Sequence, residues 1–472
     1  MTTPVPYASA EGSLYELVSR GNKDVYFFGD VSDSKFIFDN SYAAQRQTSF
    51  EIRRVPPRTA AEFGRTVDFD FDLIGDILRA PTILVDLPSW LPPQVAATAQ
   101  QSLITDTSGV AYGYTSAIAF FLFEQIQFYQ DNILLQEMSG DALWALNKPN
   151  GTFGQGFVTN QLTGQHNGSL VSISRAGAPQ TLRVELPLPG CQRQDEPGFP
   201  QRAISQHTYR LRCKLRRLED LVEASDGRPK PTPWGRSDFQ QTLGPNQAPV
   251  PFATIPRQDI PPLTLQLETK QIYVDRESQD EIRYQPQKIY FRRIREVIFQ
   301  QNALDYTGVQ NGGSSTVNRR LEGRHPAERL VWFFRTQEAI NANQLWKLYP
   351  GFSQLSFLIA GQNRELPRDP QVWRDVVNFA KEDLDTGEEL YTMNWSLGTG
   401  SIPEYRYPDG SPAGEPTGSV NFTTADRPTF YITLTPPPPA PALPITELRV
   451  LVDAWARFDT DGKGRADLFS QN

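Results

Sequence analysis

Three aspartates near residue 70 would bind a metal ion if their carboxylates converged. Asp68, Asp70 and Asp72 alternate with apolar residues from 67 to 73, and alternate residues of a strand share one face at a spacing of roughly 7 Å. Calcium needs its oxygen ligands within about 2.6 Å of the ion. A flat row of carboxylates does not provide this convergence, so the pattern favours a solvated acidic face over a metal site.

A second acidic cluster, close to the end of the chain, has part of the spacing of a calcium-binding EF-hand loop. Its potential ligands are Asp459, Asp461 and Asp467. The EF-hand also needs an oxygen ligand at its fifth position and a bidentate glutamate at its twelfth, and those positions hold Lys463 and Ser470. The sequence therefore predicts a polar turn here and no calcium site.

Nucleophilic catalysis or zinc binding would draw on the three histidines and two cysteines of the chain. His166, His207 and His325 lie outside any HExxH or Cys/His ligand motif. A dyad of His207 with Cys191 or Cys213 stays open, although packing within strands is favoured for these residues. The sequence predicts no catalytic residue, no metal ligand and no cofactor.

Asparagine modification is the remaining chemistry that the sequence leaves open. Four N-x-S/T sequons begin at Asn150, Asn167, Asn394 and Asn421. The last two fall within predicted strands, whereas Asn150 and Asn167 fall within a loop predicted for 147–180. Glycosylation is left open at these two positions, and the start of the chain, which lacks the segments of a secretory signal, argues against it.

The composition fits a folded chain of two or three domains. Its 472 residues are 39% hydrophobic and 11% aromatic, which is enough for real cores. The net charge of -8 gives no general attraction to phosphates, and a basic stripe at 210–217 is interpreted as a solvated strand face or a subunit contact. Two cysteines are typical of a chain that matures in a reducing compartment. The longest apolar stretch, 117–123, is too short to span a bilayer.

Strands must position these residues, because the chain contains 39 prolines and proline is excluded from helix interiors and central strands. Short alternating segments bounded by turn signals are typical of a β-sandwich or barrel. One arrangement, in which a proline-rich loop joins two alternating strands, occurs twice. In the first copy, strands at 209–215 and 263–273 lie on either side of a loop at 226–262. In the second copy, strands at 430–434 and 448–458 lie on either side of a loop at 435–445.

We interpret each copy as the closing hairpin of one β-domain, which predicts two consecutive β-domains. The charged segment 276–287 lies between two apolar strands and is the predicted linker. A boundary placed by composition alone would fall within the proline-rich loop at 226–262. The repeated arrangement argues against that choice, because the first domain needs the strand after the prolines to complete its sheet.

The order of several motifs resembles the double jelly-roll major capsid proteins of nucleocytoplasmic large DNA viruses. These motifs are similar to that family's N-terminal helix and first strand, its Leu-Pro-Leu-Pro strand, the end of its first jelly roll, and a strand followed by Pro-Ser-Gly-x-x-Asn-Phe. In this chain the motifs lie at 14–29, 186–189, 273–281, 389–397 and 416–422.

The resemblance implies an all-β fold of two consecutive eight-stranded antiparallel jelly rolls, with short helices in the loops. The implied parts are an N-terminal arm at 1–22, a first jelly roll at 23–275, the linker at 276–287, a second jelly roll at 288–460 and a C-terminal tail at 461–472.

The resemblance also implies a structural major capsid protein and no enzyme. Such a protein assembles in the host cytoplasm into pseudo-hexagonal homotrimeric capsomers, which tile the icosahedral shell of the virion of a large DNA virus. The implied partners are copies of itself, neighbouring capsomers, and minor capsid and penton proteins. No direct nucleic-acid contact is expected, and an internal membrane is left open as a neighbour. Two alternatives stand: a double jelly-roll scaffold or minor coat protein of such a virus, and a β-sandwich carbohydrate-binding protein.

Overall fold

The structure is a computed structural model that describes most of the chain between residues 48 and 469. The described residues are 48–71, 74–150, 162–191, 198–244, 247–300, 315–322, 325–377, 389–395, 418–422, 425, 427–434 and 445–469. The side chains of 148–150, 445–446 and 469 are outside this description.

Strands dominate the described part of the chain. In chain order they are β1 Thr48–Val55, β2 Thr66–Asp70, β3 Ile77–Asp86, β4 Leu103–Asp106, β5 Tyr112–Tyr114, β6 Phe123–Gln130, β7 Ile133–Met138, β8 Leu182–Glu185, β9 Tyr209–Leu215, β10 Val222–Ala224, β11 Phe239–Thr242, β12 Val250–Phe252, β13 Thr264–Val274, β14 Lys288–Gln300, β15 Ser315–Arg320, β16 Pro326–Thr336, β17 Gln354–Ile359, β18 Gln362–Arg368, β19 Leu390–Asn394, β20 Val420–Asn421, β21 Thr429–Leu434, β22 Ile445–Thr460 and β23 Ala466–Phe469.

The helices of the described residues are short and lie between strands. The α-helices are α1 Pro93–Thr98, α2 Ile118–Phe121, α3 Gly140–Asn150, α4 Leu170–Arg175, α5 Arg276–Tyr284 and α6 Gln337–Asn341. Turns of 3₁₀ helix lie at Ala99–Gln101, Gln201–Ile204, Leu218–Asp220 and Arg257–Asp259, and a π-helix lies at Val372–Val377.

The strands form two sandwiches with the same topology. In the first, one sheet has the order β1-β13-β3-β8 and the other has the order β2-β9-β6-β7. In the second, the sheets contain β14-β22-β16-β19 and β15-β21-β17-β18, with β20 and β23 added to the first of these. When the eight main strands of each sandwich are counted along the chain, both sandwiches have the orders 1-8-3-6 and 2-7-4-5, which is a jelly roll. The predicted double jelly roll is confirmed.

Alternation along the strands builds the core of each jelly roll. In β9, Tyr209, Leu211, Cys213 and Leu215 are buried, and the basic residues between them are partly or fully exposed. In β21 the same period buries Phe430, Ile432 and Leu434. Each sheet turns one apolar face toward its partner sheet, because burying that surface is the main driving force for folding.

The two closing hairpins predicted from the sequence are wrong. Strand β9 pairs with β2 and β6, whereas β13 pairs with β1 and β3. The same separation holds for β21 and β22, which lie in different sheets. Each proline-rich segment therefore joins strands of opposite sheets. Alternation reveals that a strand has one buried face, but both sheets of a sandwich bury a face, so alternation does not reveal which sheet a strand joins.

The segment 226–262, predicted to be a long proline-rich loop, contains two strands. Strands β11 and β12 pair with each other, and β11 also pairs with β4. Pro251 lies in β12, at the edge of this small sheet, where a residue without an N–H is tolerated. The second predicted loop, 435–445, is outside the described residues up to 444, and Ile445 begins β22.

The predicted linker and C-terminal tail also contain regular structure. Asp275 caps α5 within the linker 276–287, where its side chain accepts a hydrogen bond from the Ser278 backbone N–H; a cap of this kind stabilises a helix start. In the tail predicted for 461–472, β23 pairs with β22. Both elements are short, and their sequence signals are a single capping residue and a short alternation.

Another local prediction differs from the structure. The loop predicted for 147–180 includes the end of α3, which places Asn150 in a helix, and all of α4. The predicted arm at 1–22 lies outside the described residues.

Shortening a core side chain by one methyl group will test the packing of the second jelly roll. Ile432 is fully buried in β21, so Ile432→Val is expected to lower the free energy of unfolding by about 0.5–1.5 kcal/mol. The matched control is Ile298→Val, because Ile298 in β14 is 43% exposed and should change stability by less than about 0.5 kcal/mol. Urea unfolding of both variants measures this, and equal losses would contradict the predicted packing.

Candidate functional site

Two carboxylates of the acidic row predicted near residue 70 form ion pairs. In β2, Asp68 Oδ1 accepts a hydrogen bond from Arg212 Nε at 3.0 Å. Asp70 forms an ion pair with Arg58, and Asp72 is outside the described residues. No group of three or more His, Cys, Asp or Glu side chains in the described ranges is placed to hold a metal ion.

The acidic cluster near the C-terminus forms a hairpin turn between β22 and β23. Asp461 Oδ1 accepts hydrogen bonds from the backbone N–H groups of Lys463 at 2.7 Å and Arg465 at 3.0 Å. Asp459 pairs with Arg457 at 2.8 Å. These carboxylates are occupied within the turn, which confirms the predicted polar turn.

Two cations of the basic stripe of β9 form ion pairs with carboxylates of neighbouring strands. Lys214 Nζ lies 2.7 Å from Glu124 Oε1 on β6, and Arg212 pairs with Asp68 as described above. The guanidinium of Arg210 lies over the Tyr129 ring, 5.6 Å from its centroid. Arg212 and Lys214 of the stripe are thus paired with carboxylates of neighbouring strands, and Arg210 lies over an aromatic ring.

The histidines and cysteines do not form the dyad that the sequence left open. His207 Nδ1 lies 2.7 Å from Asp131 Oδ2, and His207 Nε2 accepts a hydrogen bond from Ala466 N–H. Burial raises the pKa of the Cys213 thiol, so it stays protonated and inert. The Cys191 thiol donates a hydrogen bond to the Leu78 carbonyl at 3.2 Å. Both imidazole nitrogens of His207 are thus engaged away from a thiol.

The two asparagines considered for modification differ in their surroundings. Asn167 is exposed, and its Oδ1 accepts hydrogen bonds from Ser169 N–H at 3.1 Å and from Ser172 Oγ at 2.7 Å. Asn150 ends α3, and its side chain is outside the description. Modification at Asn150 and Asn167 stays a prediction.

A buried polar site of the described residues lies where the two jelly rolls meet, and the sheet β14-β22-β16-β19 forms one side of it. Strand β16 is buried on both faces. Leu330, Trp332 and Phe334 point into the core of the second jelly roll, whereas Val331 and Phe333 join the apolar cluster of the first. The second jelly roll therefore presents an apolar outer sheet face to the first.

Asp141 is the centre of a buried ion cluster at this junction. It lies on α3 of the first jelly roll and is fully buried. Arg335 Nη1 of β16 donates a hydrogen bond to Asp141 Oδ1 at 2.6 Å, and Arg449 Nη1 of β22 lies 3.1 Å from Asp141 Oδ2. Arg216, the residue that follows β9, forms a third ion pair. Burial alone would raise the pKa of Asp141, but the charges of the three arginines outweigh it and lower that pKa.

A second polar contact joins the jelly rolls through Trp346. Its indole Nε1 donates a hydrogen bond to Glu223 Oε2 at 2.9 Å. His166 Nε2 lies 3.2 Å from the other oxygen of Glu223 and 3.1 Å from the Tyr114 carbonyl. His166 Nδ1 accepts a hydrogen bond from Gly168 N–H, so the ring proton is on Nε2.

Burial shifts the titration of both groups in this contact. It raises the pKa of Glu223 to about 8 and lowers the pKa of His166. Both side chains are therefore neutral near pH 7. Gly168 makes the close approach of Trp346 possible, because a Cβ at this residue, with φ +75°, would lie 2.9 Å from the indole.

A cleft of about 1430 Å³ opens beside the ion cluster and is lined by both jelly rolls. Its charged lining has both signs and includes Glu124, Lys214, Arg216, Arg293, Glu296 and Arg449. Most of these side chains pair with each other or with Asp141. The arrangement fixes the relative position of two sandwiches and provides no activated nucleophile among the described residues.

Sequence reasoning missed the residues of this junction. Asp141, Glu223 and Trp346 are single residues within otherwise unremarkable segments, and their partners are far along the chain. Asp141 and Arg335, for example, are separated by 194 residues. No short-range pattern in the sequence indicates a contact between residues so far apart.

Comparison with known proteins gives matches among structures alone. No family model matches the sequence, and no curated protein matches it. The crystal structure of VP54 from PBCV-1 is similar with a TM-score of 0.67 at 14% identity, over 93% of this chain and 100% of that chain. The Faustovirus major capsid protein has a TM-score of 0.55 at 12% identity, over 94% and 96% of the two chains.

The Sputnik virophage structure adds a third match, with a TM-score of 0.52 at 9% identity, over 93% of this chain and 92% of that one. At sequence identities this low, the structural similarity establishes the fold alone, which is the double jelly roll. Within the described residues, no helix combines the length and the apolar character needed to cross a membrane.

Proposed function

We propose that this protein is the major capsid protein of a large DNA virus and acts by assembly, not by catalysis. One observation carries the proposal. The double jelly roll matches VP54 of PBCV-1 over 93% of this chain and the whole of that one, and a second match is named as a major capsid protein of Faustovirus. The likeness spans both jelly rolls.

The proposed assembly unit is a homotrimer. Each chain contributes two sandwiches of the same topology, held in one fixed relation by the Asp141 cluster. Three copies around a three-fold axis give six similar wedges, and a closed ring of wedges is a pseudo-hexagonal capsomer. Capsomers of this shape tile an icosahedral shell, with neighbouring capsomers and minor capsid and penton proteins as the remaining partners.

The polar sites of the described residues support a structural role. Several charged side chains that the sequence singled out are paired within strands and turns, namely Asp68, Asp70, Asp459, Arg212 and Lys214. The buried Asp141 cluster joins the jelly rolls. We propose that the protein resides in the virion after assembly in the host cytoplasm. Its working surfaces are then the edges and loops of the capsomer, where large interfaces form.

Purified protein tests this proposal directly. Light scattering coupled to size exclusion is expected to give a particle of three chains, each of 53.2 kDa, and negative-stain images are expected to show hexagonal outlines. A protein that stays monomeric at assembly concentrations would contradict the proposal. Protein quantification in purified virions separates a shell protein from a scaffold, because a scaffold would be scarce there.

A further inference from the structure

Asn167 and Gly168 lie next to each other in the segment between β7 and β8 of the first jelly roll, and Asn167 is exposed. The side-chain amide of an asparagine can be attacked by the backbone nitrogen of the next residue, which closes a succinimide ring. Glycine obstructs this attack least, because it has no Cβ. Whether the attack takes place in a folded protein depends on the groups around the pair.

His166 is placed to remove the proton that this attack releases. Its Nδ1 accepts a hydrogen bond from Gly168 N–H at 3.2 Å. Its other ring nitrogen, Nε2, carries the proton and lies 3.2 Å from Glu223 Oε1 and 3.1 Å from the Tyr114 carbonyl. The imidazole is buried, and burial lowers its pKa, so Nδ1 is unprotonated at neutral pH. An imidazole held within hydrogen-bond reach of the proton has the geometry of a general base.

The side-chain oxygen of Asn167 lies between two hydrogen-bond donors. Asn167 Oδ1 accepts hydrogen bonds from Ser169 N–H at 3.1 Å and from Ser172 Oγ at 2.7 Å. The Ser172 hydroxyl also lies 2.8 Å from the Ser169 carbonyl, and it turns toward the oxygen that carries more negative charge. Attack on Cγ places negative charge on Oδ1, and donors aimed at a developing oxyanion stabilise it.

We propose that Asn167 is a self-modifying residue, which this fold converts to aspartate and isoaspartate with His166 as the general base. The Gly168 nitrogen passes its proton to His166 Nδ1 and forms a bond to Asn167 Cγ. The bond from Cγ to the side-chain amide nitrogen then breaks, and ammonia leaves with the proton that His166 returns.

Water completes the reaction by hydrolysing the succinimide. Breaking the bond from the Gly168 nitrogen to Cγ gives aspartate, whereas breaking the bond from that nitrogen to the main-chain carbonyl carbon of Asn167 gives isoaspartate. Both products carry a negative charge that asparagine lacks. The inference goes beyond the proposed function and does not depend on it.

The modified residue lies beside the contact that joins the jelly rolls through Trp346. A Cβ at Gly168 would lie 2.9 Å from the indole, and the rings of His166 and Trp346 are 6.2 Å apart. Isoaspartate adds a methylene group to the main chain where little space is available. The Trp346 contact is therefore expected to loosen as the protein ages.

Peptide mapping by mass spectrometry measures the conversion of Asn167 during incubation at neutral pH. A fixed backbone ordinarily slows succinimide formation, whereas a positioned general base contributes about 100-fold. The folded protein is therefore expected to convert Asn167 about tenfold faster than the same chain unfolded in guanidinium chloride. A folded protein that converts Asn167 no faster than the unfolded chain would overturn the inference.

Two variants test the assigned roles. His166→Gln keeps an acceptor for Gly168 N–H but removes the base, and it should slow the conversion in the folded protein about 100-fold. Ser172→Ala removes one donor to Oδ1 and should slow it less, because Ser169 N–H remains. The matched control is His207→Gln, which removes an imidazole that contacts Asp131 and Ala466 and should leave the rate unchanged.

Circular dichroism shows which variants are folded, and each result then decides the inference. A folded His166→Gln that keeps the rate of the unmodified protein overturns it. If His166→Gln does not fold, Ser172→Ala decides, because it removes only a hydroxyl from a partly exposed residue, and an unchanged rate there overturns the inference. A glycan on Asn167 would also overturn it, since the sugar occupies the amide nitrogen.

Thermal unfolding of stored protein tests the effect on the junction. The unmodified protein should unfold at a lower temperature after storage than when fresh, and Asn167→Gln should lose less on storage, because the longer glutamine side chain does not form the succinimide. An equal loss in the two proteins would contradict the expected loosening of the Trp346 contact.

Discussion

Replacing Asp141 by asparagine is expected to lower the free energy of unfolding by about 3–5 kcal/mol. Asparagine keeps the volume of the side chain but removes the negative charge that Arg335, Arg449 and Arg216 surround. Arg335 is buried in the assembled junction, and Glu447 at 3.3 Å compensates only part of its charge. An uncompensated buried charge is much more costly than the loss of one hydrogen bond.

Urea unfolding at neutral pH measures this loss, and Asp68→Asn is the matched control. Asp68 also pairs with an arginine, but its side chain is 25% exposed and that of Arg212 is 37% exposed. Solvent screens such a pair, so the control should lose no more than about 1 kcal/mol. Equal losses in the two variants would mean that the junction does not depend on the Asp141 cluster.

At acid pH the unmodified protein should lose its higher free energy of unfolding relative to Asp141→Asn. The cluster lowers the folded-state pKa of Asp141 below its ordinary value, which is about 3.9. Its contribution is therefore fully present above pH 4 and is lost as the pH falls through the lowered folded-state pKa. If the difference in unfolding free energy between the unmodified protein and Asp141→Asn vanished while the pH was still above 5, a titratable group other than Asp141 would be responsible.

The second large effect concerns Glu223, whose burial predicts a loss of stability as the pH rises. Burial raises its pKa from 4.5 to about 8, so the folded protein holds a proton that the unfolded chain releases. Stability from this group is fully present below pH 4.5 and is lost as the pH rises through about 8. Within this window the loss is up to about 1.4 kcal/mol per pH unit.

Glu223→Gln should abolish this pH dependence. Glutamine cannot ionise, and its side-chain oxygen still accepts the hydrogen bond from Trp346 Nε1. The other groups that face Glu223 are His166, Thr115 and, through its charge, Lys347. Burial lowers the pKa of His166, and this residue is present in both proteins. The difference between the two unfolding curves from pH 5 to pH 9 therefore isolates the effect of Glu223.

Glu219→Gln provides the matched control for this experiment. Glu219 is partly exposed and pairs with Arg257 at 2.9 Å. Burial would raise its pKa, but Arg257 outweighs burial and lowers it, so Glu219 is ionised in both states above pH 5. Its variant should follow the pH profile of the unmodified protein. Parallel profiles for Glu223→Gln and the unmodified protein would contradict the prediction for Glu223.

Local sequence patterns predicted many of the strands of the fold. The alternation in Tyr209–Leu215, Thr264–Val274 and Ile445–Thr460 predicted strands close to their observed bounds, because a strand with one buried face must repeat every two residues. Asp68 and Asp70, which the alternation predicted to share a solvated acidic face, form ion pairs with Arg212 and Arg58. Short elements such as α5 and β23 were missed, since one capping residue or four alternating residues is a weak signal.

What the sequence determined by itself is where strands form and which side of each strand is apolar, and the repeated arrangement of strand, proline-rich segment and strand marked the two halves of the chain. Only the tertiary structure decided that this arrangement crosses between sheets and does not form a hairpin. It also decided that Asp141 meets Arg335 and that Glu223 meets Trp346. The physical reason is that periodicity is set by the backbone of each strand, whereas pairing depends on which distant surfaces bury each other.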